Sequence, residues 1–267
     1  MPRLYVFSRF LLFLPHTKID IMYVNHVFSR EFHICGYDVD HNNRITIYKL
    51  LCMMHETAWS HVNYLKKGWK ELHAEGLFWA LGKLHLKIHK LPEWNDKIRV
   101  DTWAKERESI IFLRDYEVFS ETGELLCCAI SEWMLVDYRL NKIVRLGRLN
   151  THLDYPKERL AFEGRVPRLP RLSFPENPDF HTVVLSDLDM NQHVNNASYV
   201  RWGIDQLSYD FYNQHSIKEV VINYTNQLKA GEKYCITMEE TTPCNFNATL
   251  YNEEQKEVCK VLIVVSG

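Results

Sequence analysis

The chain has 267 residues, 46% of them hydrophobic, 25% charged and 13% aromatic, a globular composition long enough for one large domain or two smaller ones. A formal net charge of −2 and a pI near 6.7 argue against nucleic acid or an anionic membrane as the partner of the whole surface. Seven cysteines (Cys35, Cys52, Cys127, Cys128, Cys235, Cys244, Cys259) form no C-x-x-C and no zinc-like spacing, so free thiols in a reducing cytoplasm are the expected state.

Residues 1–25 read as an N-terminal extension, either disordered or upstream of a natural start at Met22. Their apolar run, Phe10 to Leu14, is too short to span a membrane, and no small-residue cleavage site follows it. An N-terminal unit is expected over 26–138. It begins with a polar loop, Asp38-Val-Asp40-His-Asn42, followed by a helix whose apolar stripe is Ile47, Leu51, Met54 and Ala58. In that helix His55 and Glu56 are neighbours in sequence but face different directions, which disfavours an acid/base pair. Strand-like runs follow at 77–89, 97–105, 110–119 and 125–138, separated by the turn signals Pro92, Asn95-Asp96 and Glu121-Thr-Gly123. A helix followed by an antiparallel meander predicts a helix wrapped by one curved sheet.

The connector 139–178 is expected to be a basic linker. Its 139–171 portion holds nine Lys or Arg against three Asp or Glu, a formal +6. Two readings are open: a solvated linker, or a dock for an acidic partner through Arg145, Arg148, Arg165 and Arg168.

The C-terminal unit, 179–267, opens on Ser186-Asp-Leu-Asp-Met-Asn-Gln-His-Val-Asn-Asn196. Asp187, Asp189, Asn191 and His193 alternate with Leu188, Met190 and Val194, so an extended loop sends the polar set to one side. Asn195 or Asn196 is placed to cap a helix from about 197 to 211, and strands are expected near 219–227, 234–240, 248–252 and 257–265. This loop repeats the first at an offset of 149 residues, so an internal repeat of two helix-in-sheet units is predicted. Arg44 stands where the second copy has His193. A calcium loop is excluded, because counting from Asp187 the sixth position is Gln192 and the twelfth Ser198, where Gly and Glu are needed. A purely structural helix cap is the competing reading of the loop.

These residues, with Tyr199 and Trp202 after the loop, resemble the acyl-acyl carrier protein thioesterases of plants and bacteria. Supporting matches are Pro92-x-Trp94, Val100-Asp-Thr-Trp103, Thr122-Gly-Glu124 and Ser131-x-Trp133. The resemblance implies an α+β double hotdog, two tandem repeats each of a long helix wrapped by an antiparallel sheet. It implies hydrolysis of the thioester between a fatty acyl chain and the phosphopantetheine of acyl carrier protein, with no metal or organic cofactor. It puts Asp189, Asn191 and His193 at the positions of the family's catalytic Asp-x-Asn-x-His. Asn191 would aim water or donate to the oxyanion, His193 would donate to the oxyanion or protonate the leaving thiolate, and Asp189 would orient both or act as base. Where plant members carry a Glu-Cys pair, an ungapped count places Gln227 and Leu228, which removes a cysteine nucleophile and leaves no proton acceptor at 227. Trp59, Trp79, Met53 and Met54 are read either as acyl-pocket lining or as plain core. The alternatives are an acyl-CoA thioesterase of the same fold and an acyl-binding protein with impaired catalysis. A homodimer is left open.

Overall fold

The computed structural model describes residues 21–105, 109–140, 142–144 and 154–266. The first half contains β1 (Ile21–Val24), β2 (Val27–His33), α1 (Ile47–Tyr64), α2 (Trp69–Ala74), β3 (Leu77–Ile88), β4 (Lys97–Ala104), β5 (Ile111–Ser120), β6 (Leu125–Asp137) and the two-residue β7 (Lys142–Ile143). The second contains β8 (His181–Thr182), a 3-10 turn at Leu185–Asp187, α3 (Asn196–Ile204), α4 (Tyr209–Gln214), β9 (Ile217–Tyr224), β10 (Lys233–Thr242), β11 (Asn245–Asn252) and β12 (Glu257–Val265).

All strand pairs are antiparallel and join in a single twelve-stranded sheet, β1-β2-β4-β5-β6-β3-β9-β12-β11-β10-β8, with β7 beside β6. The order is symmetric about the β3–β9 seam, so the sequence repeat reappears as two like half-sheets, the double hotdog. Helix α1 forms because Thr46 caps it, accepting from the Lys49 N–H at 3.2 Å, and because Ile47, Leu50, Leu51, Met54, Ala58 and His61 recur at helical spacing on the face turned to the sheet. Burying each of Leu50, Leu51 and Met54 stabilises the fold by about 1.5–3 kcal/mol. The second half packs its shorter α3 beside α1, with the Arg201 guanidinium 5.2 Å above the Tyr48 ring.

Three expectations need correction. The extension expected over 1–25 ends in a strand, since β1 pairs with β2 from Ile21↔Arg30 to Val24↔Val27; residues 1–20 lie outside the described residues. The helix expected over 197–211 is two helices, because the chain turns at Asp205 and Ser208 starts a new helix by accepting from the Phe211 N–H at 3.3 Å. Strand β9 ends at Tyr224, so Gln227 lies in the loop beyond it.

The described part of the connector, 154–178, runs largely exposed over the surface but is anchored at three points. Phe162, Val166 and Leu169 are buried against Leu113, Cys128, Ile130 and Val221 on the outer face of the sheet. Three of its arginines pair with acids on the sheet: Arg159 with Glu117 and with Asp101 at 2.8 Å, Arg165 with Glu132 at 3.4 Å, and Arg171 with Glu257 at 3.8 Å. Formal charge in sequence did not reveal this, because the compensating carboxylates sit on strands far along the chain. Arg168 is exposed, while Arg145 and Arg148 lie outside the described residues.

Candidate active site

The loop ahead of α3 is held by its own backbone. Asp189 N–H donates to the His193 carbonyl at 2.8 Å, and Gln192 N–H donates to the Asp189 carbonyl at 3.1 Å. Gln192 takes the left-handed conformation (φ 64°) to close that turn. The Asp189 carboxylate accepts from the backbone N–H of Asn191 at 2.8 Å and of His193 at 3.3 Å, and from the Asn191 side-chain amide at 3.3 Å. Two aspartates thus have different work. Asp187 is buried, accepts the Val184 N–H at 2.9 Å and pairs with Arg201 of α3, fastening the loop to the helix. Asn195 caps α3 by accepting the Ala197 N–H at 2.9 Å.

A second segment closes on this loop. Val194 N–H donates to the Leu228 carbonyl at 2.9 Å, and His193 bridges to Lys229. The Leu228 N–H is fixed in turn by the Tyr199 hydroxyl at 3.0 Å. Gln227 precedes this pairing on the same segment, is exposed, and its amide makes no hydrogen bond among the described residues. From the first half, Trp69 of α2 reaches across and its indole N–H donates to the Asn191 side-chain oxygen at 3.2 Å. That bond sets the amide's orientation: the oxygen is occupied, one N–H faces Asp189, and the other is free to donate. His193 is half-buried, and its imidazole makes no hydrogen bond among the described residues. Among the described residues no three His, Cys, Asp or Glu side chains gather as a metal site. The arrangement offers an amide donor and an unengaged imidazole on one rigid turn, which suits attack by water on a carbonyl carbon.

Sequence reasoning brought Asp189, Asn191, His193 and Gln227 to one place but missed Trp69, Tyr199 and Arg201 as their supports. Tyr199 and Arg201 lie two residues apart on the capped helix, facing different sides, so each finds its partner only in the fold. Trp69 carries no local signal, since its partner is 122 residues away. Of the expected pocket residues, Met54 is fully buried in the main core between α1 and the sheet, with Met53 partly buried against it. Trp59 is half-buried. Trp79 packs with Leu72, Leu77, Leu135 and Phe112 beneath α2, its indole N–H donating to the Lys67 carbonyl at 3.3 Å. No helix of the described residues is long and apolar enough to cross a membrane.

Comparison with known proteins gives a consistent answer. Residues 25–148 match the family model of the acyl-ACP thioesterase N-terminal domain, and residues 176–266 match that of the C-terminal domain. Oleoyl-acyl carrier protein thioesterase 2, chloroplastic, of Arabidopsis thaliana is 26% identical over 228 residues, which is 77% of this chain and 60% of the relative. Palmitoyl-acyl carrier protein thioesterase, chloroplastic, of Gossypium hirsutum is 27% identical over 216 residues, 75% of this chain and 52% of the relative. The chain thus spans roughly half to three fifths of the length of these curated relatives. Among solved structures, an acyl-ACP thioesterase from Bacteroides thetaiotaomicron superposes with TM-score 0.84 at 20% identity, covering 91% of this chain and 98% of that one. The 12:0-ACP thioesterase of Umbellularia californica gives 0.76 at 20% identity, with 90% and 97% covered. These two similarities establish the fold.

Proposed function

This chain belongs to the acyl-ACP thioesterase family, and on that premise we propose that it hydrolyses the thioester of a fatty acyl chain on acyl carrier protein, releasing the free fatty acid. The observation that carries the reading is the unengaged imidazole of His193 beside the oriented amide of Asn191.

In this reading water adds its oxygen to the thioester carbonyl carbon while His193 takes its proton. The free N–H of Asn191 donates to the developing oxyanion, a contribution of about 3 kcal/mol for a single donor. Collapse of the tetrahedral intermediate breaks the carbon–sulfur bond, and the imidazolium returns its proton to the departing thiolate. Asp189 is a positioning residue: it accepts three hydrogen bonds, from the Asn191 and His193 N–H groups at Oδ1 and the Asn191 amide at Oδ2, which hold the turn that carries Asn191 and His193. Gln227 cannot accept a proton, and its place is to hold water near the imidazole. The acyl chain enters the first half between α1 and the sheet, where Met54 and Met53 lie; Trp79, bonded beneath α2, belongs to the frame.

Carrier docking at the connector rests on exposed Arg168 with Arg145 and Arg148, because Arg165 already faces Glu132. The seven thiols, all unpaired, fit a reducing compartment such as the cytoplasm. The test is kcat/KM for one acyl group carried by acyl carrier protein and by coenzyme A. Higher kcat/KM on the protein carrier supports the proposal, and equal or higher values on coenzyme A favour the acyl-CoA reading. Acyl binding without turnover of either carrier identifies an acyl-binding protein.

A further inference from the structure

The inner face of the first half changes character along its strands. On β4 the inward side chains run Ile98, Val100, Thr102; on β5 Val118, Tyr116, Arg114; on β6 Cys127, Ala129, Ser131, Trp133. The polar end of each series lies toward α2, the element that touches the candidate active site through Trp69.

Arg114 is the centre of that end and is 6% exposed. Its Nη1 donates to His61 Nδ1 and to Thr102 Oγ1, both at 3.1 Å, and among the described residues its guanidinium makes no other bond and no ion pair. Acids on neighbouring positions are engaged elsewhere: Glu56 of α1 pairs with Arg30 at 2.6 Å, and Asp115 points to the opposite face, toward Lys105 at 3.4 Å. A guanidinium has donors only, so its bond to His61 makes Nδ1 the acceptor and puts the imidazole proton on Nε2. That Nε2 and the Nε2 of His55 are buried without partners. Burial, reinforced for His61 by the Arg114 charge, pushes His61 down to about 2, and burial alone pushes His55 down to about 4, so neither imidazole shares the charge. What remains is a cation 6% exposed, held by two neutral acceptors and with no counter-ion among the described residues, beside two unpartnered imidazole nitrogens. Such a charge is strongly unfavourable unless an anion joins it. A saturated hydrocarbon chain has nothing to offer this group.

We infer that the first half takes an acyl group whose chain carries a carboxylate, with Arg114 as the partner of that anion. The inference rests on the thioesterase reading for how the chain is delivered, and it narrows the substrate class. Ser131, which accepts the Trp133 indole N–H at 2.7 Å and donates to the Tyr116 hydroxyl at 3.5 Å, lies with Tyr116 on the same face.

Binding of two series of non-hydrolysable acyl-pantetheine amides, matched in chain length and ending in methyl or in carboxylate, tests this by calorimetry. The wild type is expected to bind the carboxylate series about tenfold or more tightly at one chain length, and that length measures the distance from the thioester site to Arg114. In Arg114→Met the preference disappears while affinity for the methyl series is kept. Arg114→Lys, which keeps the cation but not the fork, retains a reduced preference and serves if the Met variant does not fold. Equal binding of the two series by the wild type at every length, or a preference that survives in Arg114→Met, overturns the inference. Hydrolysis of the matching thioesters separates it from the activity: turnover of both series with equal kcat/KM leaves the activity and removes the carboxylate site. A carboxylate preference in binding with no turnover of either series does the reverse.

Discussion

The two polar loops, one ahead of each long helix, are built alike and finished differently. In the first, Asp40 accepts the Asn42 and Arg44 N–H groups at 2.8 and 3.0 Å, Asp40 N–H donates to the Arg44 carbonyl at 2.7 Å, and Asn43 takes φ 65°. Each feature has its counterpart 149 residues later at Asp189, Asn191, His193 and Gln192. Even the buried aspartates correspond, Asp38 accepting the Cys35 N–H and Asp187 the Val184 N–H, both at 2.9 Å. Each loop is also reached by the short helix of the opposite half. Helix α4 seals the first: Tyr212 donates to Asp40 at 2.8 Å, Asn213 bonds His41 and Asn42, and Tyr209 stacks on His41. Arg44 donates to Ser216 at 3.0 Å. Among the described residues, helix α2 gives the second loop a single hydrogen bond, Trp69 to Asn191, and the imidazole is unengaged. One turn geometry therefore has its polar groups satisfied in the first copy and leaves them open in the second, where the proposed reaction is placed.

If that difference carries the function, paired substitutions will separate rate from stability. The largest effect belongs to His193→Ala, expected to lower fatty acid release by about 10²- to 10⁴-fold with an unchanged melting temperature. Arg44→Ala is expected to leave kcat/KM unchanged and lower the melting temperature, because Ser216 and Asp40 lose a partner. Next comes Asn191→Ala, about 10²- to 10³-fold in kcat with little change in KM, the signature of a lost oxyanion donor. Its counterpart Asn42→Ala is expected to be silent in the same assay.

The covering helices give a smaller contrast. Trp69→Phe removes one neutral hydrogen bond and is expected to slow kcat several-fold, in line with about 1 kcal/mol of lost orientation at Asn191. Tyr212→Phe removes a bond to a carboxylate and is expected to cost about 1.5–3 kcal/mol of stability by denaturant titration, with turnover intact. A rate loss in Tyr212→Phe larger than that in Trp69→Phe would reverse the assignment of the two loops.

Much of this was legible in the sequence because it is local. The Asp-x-Asn-x-His turn, its Asp-x-Asn echo in the first half, the alternating strands and the cap before α1 all depend on residues within a few positions of one another. The parts that were not legible are pairings across long separations: Trp69 with Asn191, Tyr212 with Asp40, and Arg159 with Asp101 and Glu117. Arg159, Arg165 and Arg171, which read as part of a free basic strip, are matched by acids on strands far along the chain. Helix periodicity over 197–211 also failed for a physical reason, since Ser208 competes as a cap with continuation of the helix. Gln227 was reached by counting from the loop rather than by any property of the glutamine, and the strand expected to carry it ends at Tyr224.

Gln227→Ala tests the central claim, that the unengaged imidazole and not its neighbour takes the proton from water. The account predicts kcat/KM on acyl carrier protein substrate within about threefold of wild type, since an amide can hold water but cannot act as a base. A loss as large as that of His193→Ala would contradict it and move the proton transfer to the segment carrying Gln227.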